Sequence, residues 1–239
     1  MDRNKKKPVS RRAILGIAGS AAALGAASVL AGEAAAGAIG GTLAEGTPPQ
    51  TEGPFFPLDT SSESDADLTR LGQSPLLASG KRVRINGLVL DEHGQPLEGA
   101  VVTLWQACAT GKYNHPSDPN TAELDPHFQY WAGLKTTKDG RFSALTIEPG
   151  AYPATADWDR PPHVHFRVEH EGVTLTTQMY FKGHPLNAAD SLLQQTRRNY
   201  GDEAADSLVV DFKQTAGGGL TSELEGEFVI RLGTTVALD

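Results

Sequence analysis

The chain has 239 residues, 39% hydrophobic and 21% charged, with 26 Gly and 15 Pro. That length and composition suit one domain with a buried core, built from short strands and turns rather than long helices. Net charge is -8, but six basic residues (Arg3, Lys5, Lys6, Lys7, Arg11, Arg12) crowd the front, so a body starting after residue 36 keeps 15 basic and 27 acidic residues and repels nucleic acid and anionic membrane.

Residues 1–36 read as an export signal. A basic head precedes an apolar run from Ala13 to Leu30, and Ala34-Ala35-Ala36 offers an A-x-A cleavage site. "SRRAIL" (10–15) looks like a twin-arginine signal, the type that exports folded proteins, so a periplasmic or extracellular protein is expected. The alternative is a retained anchor, since the run is about long enough to span a bilayer. Residues 37–50, rich in Gly, Thr and Pro, read as a flexible leader, and the folded domain is placed at 51–239.

The body reads as an all-β antiparallel sandwich with short helices and long loops. "RVRINGLVL" (82–90) alternates, with Val83, Ile85, Gly87 and Val89 on one face. "AVVTLWQA" (100–107) is a second strand after a Gly/Pro turn cluster, and its Trp105 is expected in the core. Cys108, the only cysteine, permits no intramolecular disulfide and no cysteine-rich zinc site, and reads as a small buried hydrophobe. "TTKDGRFSAL" carries Asp139-Gly140, a hairpin signal. "HVHFRVEHEGVTLTTQMYF" (163–181) is a hairpin turning at Glu171-Gly172. The helical candidate is 187–200, and 207–213 and 227–232 are further strands.

Within "DWDRPPHVHF" (157–166), His163 and His165 are two apart, so on a strand they share a face and can chelate one metal. Tyr113, in a loop opened by Gly111, and Tyr152, in the Gly/Pro-bounded turn "EPGAYP", are the other conspicuous residues. Two imidazoles and two phenols form a donor set for a strongly Lewis-acidic ion, because a phenol holds its proton to about pH 10 in water. Ferric iron is hard, favours anionic oxygen and accepts imidazole.

The ordered stretches "TEGPFFP" (51–57), "GLVLDEHGQPLEGAVVTLWQACATGKYNHPSD" (87–118), "TTKDGRFSALTIEPGAYP" (136–153), "RPPHVHFRV" (160–168) and "TQMYF" (177–181) resemble the intradiol ring-cleavage dioxygenases, which include protocatechuate 3,4-dioxygenase and catechol 1,2-dioxygenase. The resemblance implies a β-sandwich and a non-haem Fe(III) site with Tyr113, Tyr152, His163 and His165 as ligands. It implies that Tyr152 leaves the metal when substrate binds, that Arg160 lies against the substrate, and that Gln178 is a nearby pocket amide. The implied reaction takes a catechol-type substrate and O2 to a muconate-type diacid, with both oxygen atoms incorporated and no organic cofactor. Two departures bear on which catechol is used. The family's Trp-Arg-Pro reads Asp159-Arg160-Pro161 here, with Trp158 displaced by one, and the Tyr152–His163 interval is short for the protocatechuate branch. The long helical N-terminal segment of the catechol and hydroxyquinol branches is missing, so the body looks closer to a protocatechuate-type subunit with a complete ligand set in one chain; a homo-oligomer is compatible with it. Two rivals remain at this level: an exported transthyretin-like binding module without catalysis, and a zinc or ferrous enzyme joining the histidine pair to a carboxylate.

Overall fold

A computed structural model describes residues 46–60, 65–214 and 223–233. The expected export signal and most of the expected leader lie outside the described residues. The strands are β1 (Arg82–Asp91), β2 (Val101–Trp105), β3 (Trp131–Lys135), β4 (Arg141–Ile147), β5 (Tyr152–Thr155), β6 (Trp158–Arg160), β7 (His163–His170), β8 (Val173–Phe181), β9 (Val209–Val210), β10 (Lys213–Gln214) and β11 (Leu224–Leu232). Between β8 and β9 come a 3-10 turn (Pro185–Ala188), α1 (Ser191–Tyr200) and α2 (Asp202–Ser207).

One sheet has the order β10-β11-β1-β4 and the other β3-β2-β7-β8-β9, with β5 and β6 forming a separate ribbon. The all-β sandwich expected from the sequence is present. It is mixed rather than wholly antiparallel, because β1 pairs parallel with β11 and β8 parallel with β9. The alternation in β1 buries Val83, Ile85, Gly87 and Val89, as read from the sequence. Across the sandwich, the Phe166 ring from β7 packs 6.2 Å from Phe142 of β4 and 5.1 Å from Phe228 of β11. Val102 and Leu104 of β2 and Val164 and Val168 of β7 join the same core. Strand side chains alternate, so the opposite face of β2 and β7 carries Trp105, His163 and His165 away from that core. This second face builds the site.

Several elements differ from the sequence reading. Asp139-Gly140 does form a tight turn, with Gly140 N–H donating to Thr137 O at 2.8 Å. It joins β3 of one sheet to β4 of the other, so it is a crossover rather than a hairpin. The region 207–213 is mostly not strand: α2 runs to Ser207 and only Val209–Val210 and Lys213–Gln214 pair. α1 starts at Ser191, four residues later than expected, because buried Asp190 accepts the Leu193 N–H at 2.8 Å and sets the N-terminus there.

Residues 46–50, the described part of the proposed leader, are tied to the sandwich: Thr47 N–H donates to Arg231 O, Gln50 N–H to Thr176 O, and the Thr177 hydroxyl to Pro48 O. Each bond satisfies a main-chain group of the segment. Among the described residues, no helix is long and apolar enough to cross a membrane.

Candidate metal centre

Antiparallel pairing decides which side chains meet. His165 lies opposite Trp105 on one side and Gln178 on the other, and His163 lies opposite Tyr180. Directly opposed residues share a face, so β2, β7 and β8 together present Trp105, His163, His165, Gln178 and Tyr180. The Trp105 indole stacks on the His165 ring at 4.8 Å and 12°, which fixes that ring's plane. Trp105 is buried, as expected, but among site residues rather than in the sandwich interior.

Tyr113 reaches this face from the loop after β2. Its N–H donates to Asp118 Oδ2 at 2.7 Å, Asn120 Nδ2 donates to Gly111 O at 3.0 Å, and Lys112 Nζ donates to Asp118 O at 2.9 Å. Gly111 (φ +81°) and Gly150 both donate their N–H to Cys108 O. A Cβ on Gly111 would sit 2.5 Å from Ala151 O, so the loops carrying Tyr113 and Tyr152 are packed backbone to backbone. Tyr152 was expected in a turn. It is the first residue of β5, where it pairs with Arg160 of β6. That ribbon sets the phenol and the guanidinium side by side.

Tyr113 Oη is 3.3 Å from His163 Nε2 and 3.2 Å from His165 Nε2. The Tyr152 ring lies 5.6 Å from Tyr113 and 5.7 Å from His163. His163 Nδ1–H donates to Pro161 O at 2.7 Å, which leaves Nε2 as its lone-pair atom. Bonds of about 2.1 Å to one ion, at angles between about 90° and 109°, separate neighbouring ligand atoms by roughly 3.0–3.4 Å. The two measured separations fall in that range.

The donor chemistry fits as well. Burial, the Arg160 charge and, for His163, its neighbour His165 hold both imidazoles well below the usual histidine range, so both are neutral at pH 7. Burial pushes the Tyr113 phenol well above its ordinary value, with Tyr152 adding to the effect. Burial also raises Tyr152, and Arg160 partly offsets this. Two neutral imidazoles converge through Nε2 on a phenol with one proton to share. A cation among these atoms would take both Nε2 lone pairs and supply the charge that burial denies the phenolates. Among the described residues, no group of three or more His, Cys, Asp or Glu assembles. Among those residues, no carboxylate stands with the pair as a zinc or ferrous His-carboxylate site requires.

Arg160, 4% exposed, donates from Nε to Asp190 Oδ2 at 2.8 Å and from Nη2 to Gln178 Oε1 at 2.6 Å and Tyr180 Oη at 3.2 Å. Trp158, one place removed from the family position, still lies against it, 5.3 Å from guanidinium carbon to ring. Of the "GPFF" stretch, Phe55 packs on Tyr113 at 4.7 Å and Phe56 edges onto Trp105 at 4.9 Å. Sequence reasoning passed over Tyr180 and Asp190. The register of β8 against β7 was the available signal for Tyr180; Asp190 had none beyond a capping residue inside a helical stretch. His115 lies near Phe55, 5.9 Å between rings, and not among the converging atoms.

Comparison with known proteins gives the family. The family model described as "Dioxygenase" matches residues 51–233. The chain is 38% identical over 164 residues to the protocatechuate 3,4-dioxygenase beta chain of Burkholderia cepacia, covering 66% of this chain and 68% of that one. It is 28% identical to the intradiol ring-cleavage dioxygenase prcA of Aspergillus niger, over 67% of this chain and 50% of that protein. Among solved structures, the dioxygenase domain of a dioxygenase–carbohydrate-binding fusion from Streptomyces sp. SirexAA-E superposes with a TM-score of 0.57 at 29% identity, covering 79% of this chain and 99% of that one. 3-Chlorocatechol 1,2-dioxygenase from Rhodococcus opacus 1CP gives a TM-score of 0.62 at 23% identity, covering 80% and 74%, a likeness of fold. The chain belongs to the intradiol ring-cleavage dioxygenase family.

Proposed function

We propose that this chain is a non-haem Fe(III) intradiol dioxygenase. It cleaves a catechol-type ring between its two hydroxyls with O2 and gives a muconate-type diacid, on the protocatechuate-like branch. The observation that carries the reading is the approach of Tyr113 Oη to both imidazole Nε2 atoms, with Tyr152 and Arg160 beside them. Identity to the Burkholderia cepacia beta chain supports the branch. Tyr113, Tyr152, His163 and His165 would hold the iron. When bound, a ferric ion supplies Lewis acidity that lets phenolic oxygens lose their protons near neutral pH, and an electron acceptor for the chemistry of dioxygen.

The residues divide the remaining work. His163, fixed through Nδ1 by Pro161, and His165, stacked on Trp105, are rigid neutral donors. Tyr113 is pinned by its loop and covered by Phe55, and stays in place. Tyr152 heads a four-residue strand and is 9% exposed against 3% for Tyr113, which suits it to move aside and accept a substrate proton on Oη. Arg160 is held in advance as a donor to negative charge developing on the substrate, an electrostatic role that needs no rearrangement. Export as a folded protein through the twin-arginine signal belongs to the same proposal, since folding around iron before translocation keeps other metals from the ligands.

The test is product identification. Incubation with catechol, protocatechuate and hydroxyquinol under 18O2, followed by mass spectrometry and NMR, should give a ring-opened diacid carrying both labelled atoms. A semialdehyde from cleavage beside the diol, or no consumption by iron-loaded protein, overturns the reading.

A further inference from the structure

Arg160 is almost wholly buried, and its contacts are unevenly distributed. Nε is committed to Asp190, and Nη2 to Gln178 and Tyr180. Nη1 has no hydrogen-bond partner among the described residues. Asp190 is fully buried, and its two oxygens have separate tasks: Oδ2 takes Arg160 Nε, while Oδ1 takes Leu193 N–H at the start of α1 and the Tyr180 hydroxyl at 3.3 Å. Tyr180 Oη also reaches Gln50 Oε1 at 2.9 Å, and Gln50 Nε2 reaches Thr196 Oγ1 of α1 at 2.8 Å.

We propose that Asp190 is a positioning residue for Arg160: by holding Nε from the N-terminus of α1, it orients the guanidinium so that Nη1 is the nitrogen left for a bound substrate. The helix thereby becomes part of the active-site scaffold. A capping residue needs only a small polar acceptor, and Ser, Thr or Asn cap about as well as Asp. A buried carboxylate is otherwise costly, and its cost is offset here by the Arg160 guanidinium beside it. The carboxylate at this cap is therefore explained by Arg160 and not by the helix. The inference rests on reading the centre as the catechol site.

The experiment is a double-mutant cycle with Asp190→Asn, Arg160→Met and the double variant, each compared with the wild-type chain. Asparagine keeps a cap acceptor for Leu193 but turns an amide, without charge, toward the guanidinium. Thermal melting of the metal-free forms is the readout that needs no turnover. Asp190→Asn should lower the melting temperature in the wild-type background by roughly 5–10 °C and raise it in the Arg160→Met background, where the carboxylate has lost its partner. In the iron-loaded forms, Asp190→Asn should leave iron content and visible absorption unchanged and lower kcat about 10–100-fold. Arg160→Met should lower kcat at least as far, and the double variant no further than Arg160→Met alone. A melting change of the same sign in both backgrounds, or kcat losses that multiply, makes Asp190 a helix cap only and overturns the proposal. Should Asp190→Asn alone not fold, the comparison of Arg160→Met with the double variant decides by the sign of the melting change. If wild-type protein cleaves no catechol, the reading of the centre fails, while the melting cycle still reports whether Asp190 and Arg160 are coupled.

Discussion

The packing of Gly111 against the Tyr152 loop yields a prediction with its own internal control. Gly111 and Gly172 have nearly the same positive φ, +81° and +83°. An alanine at either position carries the left-handed backbone penalty, about 1–2 kcal/mol. At Gly172 nothing lies within 4 Å of the added methyl, so that is the whole cost. At Gly111 the methyl meets Ala151 O at 2.5 Å and Tyr152 Cβ at 3.1 Å, and neither a carbonyl oxygen nor a Cβ can rotate away. Relief requires one of the two tyrosine-bearing segments to shift, which adds about 1–3 kcal/mol of overpacking. Denaturant unfolding of the metal-free proteins should therefore place Gly111→Ala about 1–3 kcal/mol below Gly172→Ala. Iron per chain should fall in Gly111→Ala alone, because Tyr113 and Tyr152 no longer meet the histidines. Equal stability of the two variants together with full iron in Gly111→Ala would refute the claim that this contact sets the site.

Other consequences follow from burial and from the signal. His163 and His165 are held neutral in the folded protein, while in the unfolded chain they take up protons below about pH 6.5. The unfolded state then binds more protons, so the metal-free protein should lose stability as pH falls below about 6.5, by up to about 1.4 kcal/mol per pH unit for each histidine. Urea unfolding between pH 7 and 5 measures this, and flat stability there would contradict the buried neutral pair. Trp105→Ala should cost about 3–5 kcal/mol in the same assay and loosen His165, seen as faster loss of iron to a chelator. Replacing Arg11 and Arg12 with lysine should retain the protein inside cells on fractionation; undiminished export would point to the general secretory route or a plain anchor.

The sandwich was legible where burial follows a simple period. β1 alternates so regularly that its buried face reads directly from residues 82–90, and the hairpin turns at Glu171-Gly172 as read, with positive φ at both residues. Legibility failed where partners are distant. Asp139-Gly140 has the chemistry of a hairpin turn, but which sheet each flanking strand joins is decided by pairing with strands far earlier in the chain, β2 for β3 and β1 for β4. "SLVVDFK" has strand composition, yet α2 claims its first residue and β9 pairs for only two. The site behaved in the same way. His163 and His165 are local in sequence and were found from spacing and family pattern. Tyr152 was assigned to a turn because its strand partner, Arg160, closes a short ribbon whose register shifts between Pro153 and Thr155. Asp190 reads as a cap in any helix; its bond to a guanidinium 30 residues earlier appears only in three dimensions.

The central claim is that Tyr113, Tyr152, His163 and His165 hold one ferric ion. The measurement that tests it most directly is iron content with visible absorption for purified wild-type protein, Tyr152→Phe and Tyr113→Phe, each loaded with iron under the same conditions. The account predicts about one iron per wild-type chain with a tyrosinate-to-iron band in the visible, a weaker and shifted band with iron largely retained in Tyr152→Phe, and loss of most iron in Tyr113→Phe. Iron-loaded wild-type protein without visible absorption, or three proteins with identical spectra, would contradict it.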